Sequence, residues 1–477
     1  MGSSTSADEI ADLEEFARLE IIEISKQGAL DLGYDEDEKH IELLKNSVNH
    51  VRVVGTELVL NKLFDEIGFN EIPEDIFRHL IISRIVYPGS KLRTIEYLSR
   101  HHQKHYSSSS IYRYMDKLNN SYKSLIQEIS FNHTHALLGG DISIVFYDVT
   151  TLYFEASKED ELRRLGYSKD GKAHKPQIVL GLLVSKGGYP LAFDIHKGNQ
   201  YEGDTLIPIL NRFKSTYNLN KLVVVADSGL LSKSNIKQLI ENNYEFILGA
   251  RIKNESTQKQ AQILALDWSK KNTQSLSTQG DLTLIVTYSD KRAKKDAFNR
   301  EKGIQRLKDK IRSGKLTKQN INNRGYNKYL KIQGEASIEL DLTKLNQDQK
   351  WDGLKGYVTN TKMTQNQVVE NYRHLWQIEK AFRMSKTDLE VRPIYHQKSK
   401  RIESHLIISF CSYKLYKELE RQLIEKNVGF SLEKTLDILK SIYAISTVLP
   451  QSKLKTEIVM ANTNEQKLIL DKFNLEF

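Results

Sequence analysis

The sequence predicts a mixed α/β core interrupted by a β-rich insertion, with helical regions at the N-terminal and C-terminal ends. Three observations point there. Between Ser143 and Arg251, five short runs rich in β-branched and aromatic residues are separated by turn residues. From Thr56 to about Tyr122, and again from His396 onward, apolar residues recur at helical spacing. Between Ile252 and Lys350 a lysine-rich stretch breaks the core pattern with strands of its own, DLTLIVTYS and YLKIQGEASIEL, around a charged helix, KRAKKDAFNREKGIQRLKDKI.

Taken in order, residues 1–50 read as an acidic helical lead-in. ADEIADLEEFARLEIIEI forms an amphipathic helix and DEDEK at 35–39 an exposed loop. Residues 51–135 read as a helical region. Pro73 opens one helix and Pro88-Gly89 ends it, and the serines at 107–110 cap a short helix bearing Tyr112, Arg113, Tyr114 and Lys117. Short helices with a basic, aromatic last member suggest a helix-turn-helix-like DNA reader; a helical bundle packed on the core is the other option. Residues 136–251 form the first part of the core: SIVFYDVTTLYF, PQIVLGLLVS and YPLAFDIHKGN at hairpin-like spacing, then KLVVVA, a crossover helix in LSKSNIKQLIEN, and YEFILGAR. Residues 252–355 are the basic β-rich insertion. Residues 356–400 complete the core with GLKGYVTNT and one long helix from about Gln365 to Thr387, and residues 401–477 are helical, HLIISFCSYKLYKELERQLI being the clearest segment.

The net charge is +9 and the pI about 9.1, a balance that favours a polyanionic partner. The charge is unevenly placed. Residues 1–50 hold 13 acidic and 4 basic side chains, whereas Val286 to Leu330 holds 14 basic and 4 acidic. The single cysteine, Cys411, excludes an internal disulfide or a Cys-rich metal site, and its apolar surroundings make it a core residue. No run approaches 18 apolar residues and the acidic start lacks a signal-peptide pattern, so a cytoplasmic protein outside the membrane is expected.

Three acidic residues stand in segments that otherwise read as buried: Asp148 in SIVFYDVTTLYF, Asp227 at the end of KLVVVA, and Glu379 in YRHLWQIEKAFRMSK. A buried carboxylate is costly unless it is paired or binds a cation. One alone is a structural partner for a buried Arg. Three together suit a site for two Mg²⁺ or Mn²⁺ ions about 4 Å apart, which clamp the attacking and leaving oxygens of a phosphodiester. At roughly 100° per residue, Tyr372, Glu379 and Lys386 fall on one stripe of a continuous helix, flanked by Trp376 and Arg383, with Ile378 and Phe382 on the packed side. Motifs for nucleotide phosphates, dinucleotides and zinc hydrolysis are absent from the sequence, and His133 and His135 read as local turn residues.

FYDVTTLYFE, KDGKAHKPQIVLGLLV, VVVADSGLLSKSNI, YSDKRAKKDAFNREKG, INNRGYNKYL, WDGLKGYVTNT and YRHLWQIEKAFRMSK followed by RPIYHQKSKRIESH together resemble the DDE insertion-sequence transposases of bacteria. The branch is the insertion-sequence-four-like one, with an RNase H-like core and a β-rich insertion between the second Asp and the Glu. The resemblance runs from about Gly55 to Glu420. It implies that Asp148, Asp227 and Glu379 are the catalytic, metal-holding triad, with intervals of 79 and 152 residues. The family signature Y-(2)-R-(3)-E-(6)-K falls on Tyr372, Leu375, Glu379 and Lys386. Leucine replaces arginine at 375, and Arg373 and Arg383 are the candidates to stand in for it. The resemblance further implies Mg²⁺ (or Mn²⁺) as cofactor, cleavage of inverted-repeat ends and joining to target DNA, with double-stranded DNA as partner and a homodimer in the synaptic complex. The expected DNA contacts are Tyr372, Arg373, Trp376, Arg383 and Lys386, with Lys291, Arg292, Lys294, Lys295 and Arg300 of the basic block. A decayed or domesticated DNA-binding protein without turnover, or a metal-dependent nuclease, would share many of these features.

Overall fold

The computed structural model describes the chain outside residues 1–6, 26–33, 157, 169–170, 220, 231, 270, 278–279, 314–315, 317–321, 323–324, 334–336, 450–451 and 476–477. It divides into two compact units. The larger comprises 63–95 and 106–421, the smaller 1–62, 96–105 and 422–477.

The strands in chain order are β1 (Val48–Val53), β2 (Ile144–Tyr153), β3 (Gln177–Ser185), β4 (Pro190–Lys197), β5 (Val223–Ala226), β6 (Glu245–Ala250), β7 (Thr273–Ser277), β8 (Thr283–Tyr288), β9 (Leu330–Gln333), β10 (Ser337–Leu340), β11 (Leu354–Thr359), β12 (Tyr443–Val448) and β13 (Lys455–Met460). The larger unit is built on an eight-stranded sheet in the order β4-β3-β2-β5-β6-β11-β8-β7. Strands β2 to β4 form an antiparallel meander, and β5 and β6 run parallel to β2. The crossover from β5 to β6 is the helix Lys233–Glu241. This mixed sheet with helices on it is an RNase H-like α/β core, the class expected.

Alternation along β2 assigns the two faces. Val145, Tyr147 and Val149 enter a core shared with Leu206, Ile209, Leu210 and Phe213 of the helix Leu206–Thr216. Gly181 on β3 is required beneath Tyr147, because a Cβ there would lie 2.5 Å from the phenol oxygen. Asp148 belongs to the opposite face with Leu182, its cross-strand partner. That face is packed by the helices Trp376–Thr387 and Ser399–Glu425, through Phe382, Leu406 and Phe410 against Leu182 and Phe193.

Within residues 252–355, β7 and β8 extend this same sheet through β11, and among the described residues β9 and β10 pair apart from it. The basic stretch between β8 and β9 is the helix Asp290–Arg312, started by Ser289, whose side chain accepts from Arg292 N. Among the described residues three helices that precede β2 lie wholly within this unit: Asp75–Val86, Ser108–Ser121 and Lys123–Leu137. One of them, Ser108–Ser121, is capped by Ser107 as expected and buries Ile111, Tyr114, Met115 and Leu118. Of its basic residues, Lys117 pairs with Glu74, while its Asp116 takes a bidentate bond from Arg401 at 3.0 Å.

Three local expectations change. Residues 35–39 lie within the helix Tyr34–Ser47 rather than a loop, since the acidic run continues the helical pattern of IELLKNS. The 365–387 helix is broken: Gln365–Arg373 and Trp376–Thr387 are separated at His374 and Leu375, where Leu375 N bonds Tyr372 O and Ile378 N bonds Leu375 O, a tightened i−3 pattern. Residues 401–477, expected to be helical, also contribute β12 and β13, which with β1 make a three-stranded sheet in the smaller unit. YAISTV has the β-branched content of a strand, but its partners β1 and β13 are not apparent from local pattern. Cys411 is fully buried with a free thiol. No helix among the described residues is long and apolar enough to cross a membrane.

Candidate active site

Four apolar residues, VVVA, make β5 a fully buried central strand, and the chain emerges from its carboxyl end at Asp227. Ligands collect at that end of strands in open α/β sheets. The parallel register pairs Tyr147 with Ala226, so Asp148 and Asp227 are the next residues on adjacent strands. The helix bearing Glu379 packs on β2, and Phe146 on the same face of β2 meets the ring of His374 at 6.4 Å. Asp227 and Glu379 line one cleft of about 700 Å³ together with Ser228, Arg251, Arg292, Lys355, Tyr372, Arg373 and Trp376.

The expectation of three buried carboxylates is corrected: the strands are buried, but Asp227 and Glu379 are exposed and Asp148 is half-buried. Asp227 lies just past the end of β5 and faces the cleft with Glu379, so water or a cation can reach both without the burial cost. Asp148 Oδ1 accepts from Val149 N at 2.7 Å, and Asp227 Oδ1 accepts from the Tyr372 hydroxyl at 3.1 Å. Among the described residues no three His, Cys, Asp or Glu side chains are already gathered around one point. The donors are nevertheless all carboxylates, the hard oxygen ligands that Mg²⁺ and Mn²⁺ take, and their residues come from adjoining elements, so the donor chemistry fits such ions.

The break at His374–Leu375 also corrects the single stripe. Tyr372 ends one helix, and Glu379 and Lys386 belong to the next. Tyr372 is 5 % exposed, wedged against Tyr357 at 4.8 Å and over Gly249, where a Cβ would come within 2.5 Å of the Tyr372 oxygen. Burial, then the Asp227 charge, pushes its phenol well up, so it remains a donor. Lys355, which the sequence reading did not single out, holds its ammonium 4.4 Å from the centre of the Tyr372 ring. Burial foremost, and then Arg292, pull its pKa down, while Asp227 and Glu379 raise it. The available signal was a lone lysine in the apolar strand GLKGYVT.

The other expected contacts separate into groups. Arg292, Arg373 and Trp376 line the cleft, Trp376 being 54 % exposed. Arg383 and Lys386 follow one and two turns beyond Glu379 on its helix. Leu375 is buried, so the position that departs from the signature serves packing. Lys291, Lys294 and Lys295 are exposed on the first turns of Asp290–Arg312. Arg300 is corrected: it is largely buried, and both of its terminal nitrogens are held by Asp352 at 2.5 and 2.6 Å, so its guanidinium is committed within the protein. His133 and His135 lie within the helix Lys123–Leu137 rather than a turn; among the described residues they join no metal cluster, and His135 stacks on Phe131.

No protein of curated function matches the sequence. Among solved structures, a piggyBac transposase in a synaptic complex with hairpin DNA aligns over 81 % of this chain and 76 % of its own, at 9 % identity and a TM-score of 0.39. The model of the family described as "Transposase DDE domain" matches residues 139–415, more than half the chain and the whole interval from before β2 to the helix after Glu379. By that match, which takes in all three acidic residues, the chain belongs to the DDE-domain transposase family.

Proposed function

We propose that the protein cleaves the ends of its own insertion sequence and joins them to target DNA, with Asp148, Asp227 and Glu379 as the catalytic carboxylates. The observation that carries this is the adjacency of Asp148 and Asp227 on β2 and β5, with Asp227 and Glu379 opening on one cleft rimmed by Arg292, Lys355 and Arg373. The three carboxylates would hold Mg²⁺ or Mn²⁺, which when bound supply charge neutralisation at the reacting phosphate and make water or a 3′-hydroxyl more acidic. Water attacks phosphorus, the P–O3′ bond breaks and a 3′-hydroxyl is released. That hydroxyl then attacks a target phosphodiester, forming one P–O bond as another breaks. The Tyr372 hydroxyl holds Asp227 in one orientation, and Arg292, Lys355 and Arg373 offer positive charge to the DNA backbone.

In this reading residues 136–251 and 356–400 carry the chemistry, and Lys291, Lys294 and Lys295 of the 252–355 region contact the phosphates of the terminal repeat. Residues 51–135 add further DNA contacts, and two copies of the chain meet when two ends are brought together. The test is incubation of purified protein with a labelled duplex carrying the flanking repeats, with Mg²⁺ or Mn²⁺, beside Asp227→Asn. End-specific nicks and joined products are expected, reduced at least about 100-fold in the variant. Binding without cleavage by either protein would refute turnover; nicks without joined products would leave only a nuclease.

A further inference from the structure

The segment RPIYHQKSKRIESH plays no part in the cleft described above, yet it walls a second cavity of about 540 Å³. Arg84, Lys91 and His405 line this cavity and are 4 %, 4 % and 5 % exposed. Arg93, Arg392 and His396 line it as well, and Glu390 is the one carboxylate among the described lining residues. Two nearly inaccessible cations beside two more, facing one acid, are a strongly unfavourable arrangement in the absence of a counter-charge.

The polar groups here are also underused. Among the described residues Arg84 makes one long hydrogen bond, Nη1 to Leu389 O at 3.4 Å. Lys91, among the described residues, makes no hydrogen bond or ion pair, and burial foremost, then the repulsive charge of Arg84, act against its ammonium form. His405 Nε2–H donates to Val391 O at 2.9 Å, leaving its buried Nδ1 without a partner. The helix Lys91–His102 begins at the cavity, with Ser90, Lys91, Leu92 and Arg93 on its wall. First-turn amides have no carbonyl of their own helix to bond and carry the positive end of its dipole; Arg93 N is capped by Ser90 Oγ at 3.3 Å, so the amides at issue are those of Lys91 and Leu92. Burial foremost, then the charges of Lys91 and Arg84, drive the His396 imidazole down to about 3.

We propose that this cavity is a phosphate-binding site, separate from the cleft of Asp227 and Glu379, in which Arg84, Lys91 and Arg392 and the first turn at Lys91 enclose one phosphate group. Neither site shares a lining residue with the other. The phosphate comes either from a free small molecule or from a DNA backbone, and the two sources give different results in one set of measurements.

The full-length protein is melted in sodium phosphate and in sodium chloride of equal ionic strength, and its affinity for a duplex oligonucleotide is measured against salt. Wild type, Lys91→Met and Arg392→Gln are compared. A melting point raised by phosphate in the wild type, with phosphate affinity weakened about tenfold or more in both variants, assigns a free phosphate. Lys91→Met should itself melt no lower than wild type, because a buried unpaired charge is gone. No phosphate effect, combined with a DNA salt slope smaller by about one in each variant, assigns a backbone phosphate. Responses to both ligands equal to wild type in the variants, or no wild-type response to either, would overturn the proposal. Arg392→Gln keeps the test decisive if Lys91→Met fails to melt cooperatively.

Discussion

Tyr372 spends a buried phenol on one carboxylate oxygen of Asp227, and its ring is held by Tyr357, Lys355 and the missing side chain of Gly249. Replacing it by Phe keeps the ring contacts and removes only the donor. The expected result is a melting point close to wild type and single-turnover end cleavage slower by about tenfold, the worth of one hydrogen bond to a charged group. An unchanged cleavage rate would show that the orientation of Asp227 does not depend on this bond. At this scale the sequence singled out the three acids as a group, because acidic residues in apolar segments are conspicuous, and the structure places Asp148 beside Asp227 and puts Asp227 and Glu379 on one cleft. It misjudged their exposure, since whether a side chain at a strand end meets solvent depends on what packs beyond it.

Among the elements, Asp290–Arg312 shows how charge count and charge use diverge. Lys291, Lys294 and Lys295 project from its start, whereas Arg300 ties its middle to Asp352, just before β11. Arg300→Ala leaves Asp352 without its partner and should lower stability by about 3 kcal/mol, as for other half-broken buried pairs. Lys291→Ala, Lys294→Ala and Lys295→Ala should leave the melting point unchanged and each reduce the DNA salt slope by about 0.9. The opposite pattern, in thermal melts and salt-dependent binding, would return Arg300 to the DNA-contacting set. Helical spacing could not distinguish these residues, because the distinguishing partner is 52 positions away in the chain.

For the molecule as a whole, three imidazoles predict the response to acid. Burial, then Lys414, lowers His133 to about 4; burial, then Lys91, lowers His396 to about 3; and burial, then Arg84, lowers His405. Each folded pKa lies below the ordinary 6.5, so below pH 6.5 the unfolded chain takes up protons that the folded chain refuses. Stability is therefore complete above about 6.5 and falls as the pH drops toward 4 and 3. Melting temperature against pH should decline across that window, and His396→Gln should make the decline shallower; a flat wild-type profile would contradict it.

What the sequence by itself determined is the α/β class, the strand-forming segments around Asp148 and Asp227, the capped helix after Ser107 and the family-like blocks, because each is written in periods of two or 3.6 residues or in local composition. Tertiary structure alone decided that Asp148 and Asp227 stand side by side, that β7 and β8 join the core sheet, that β1 pairs with β12, and that the helix after Gln365 breaks where Tyr372 reaches Asp227. Those outcomes rest on partners tens to hundreds of residues apart. Strand pairing and side-chain contact at such separations depend on the surfaces that meet, and local pattern does not encode which surfaces those are.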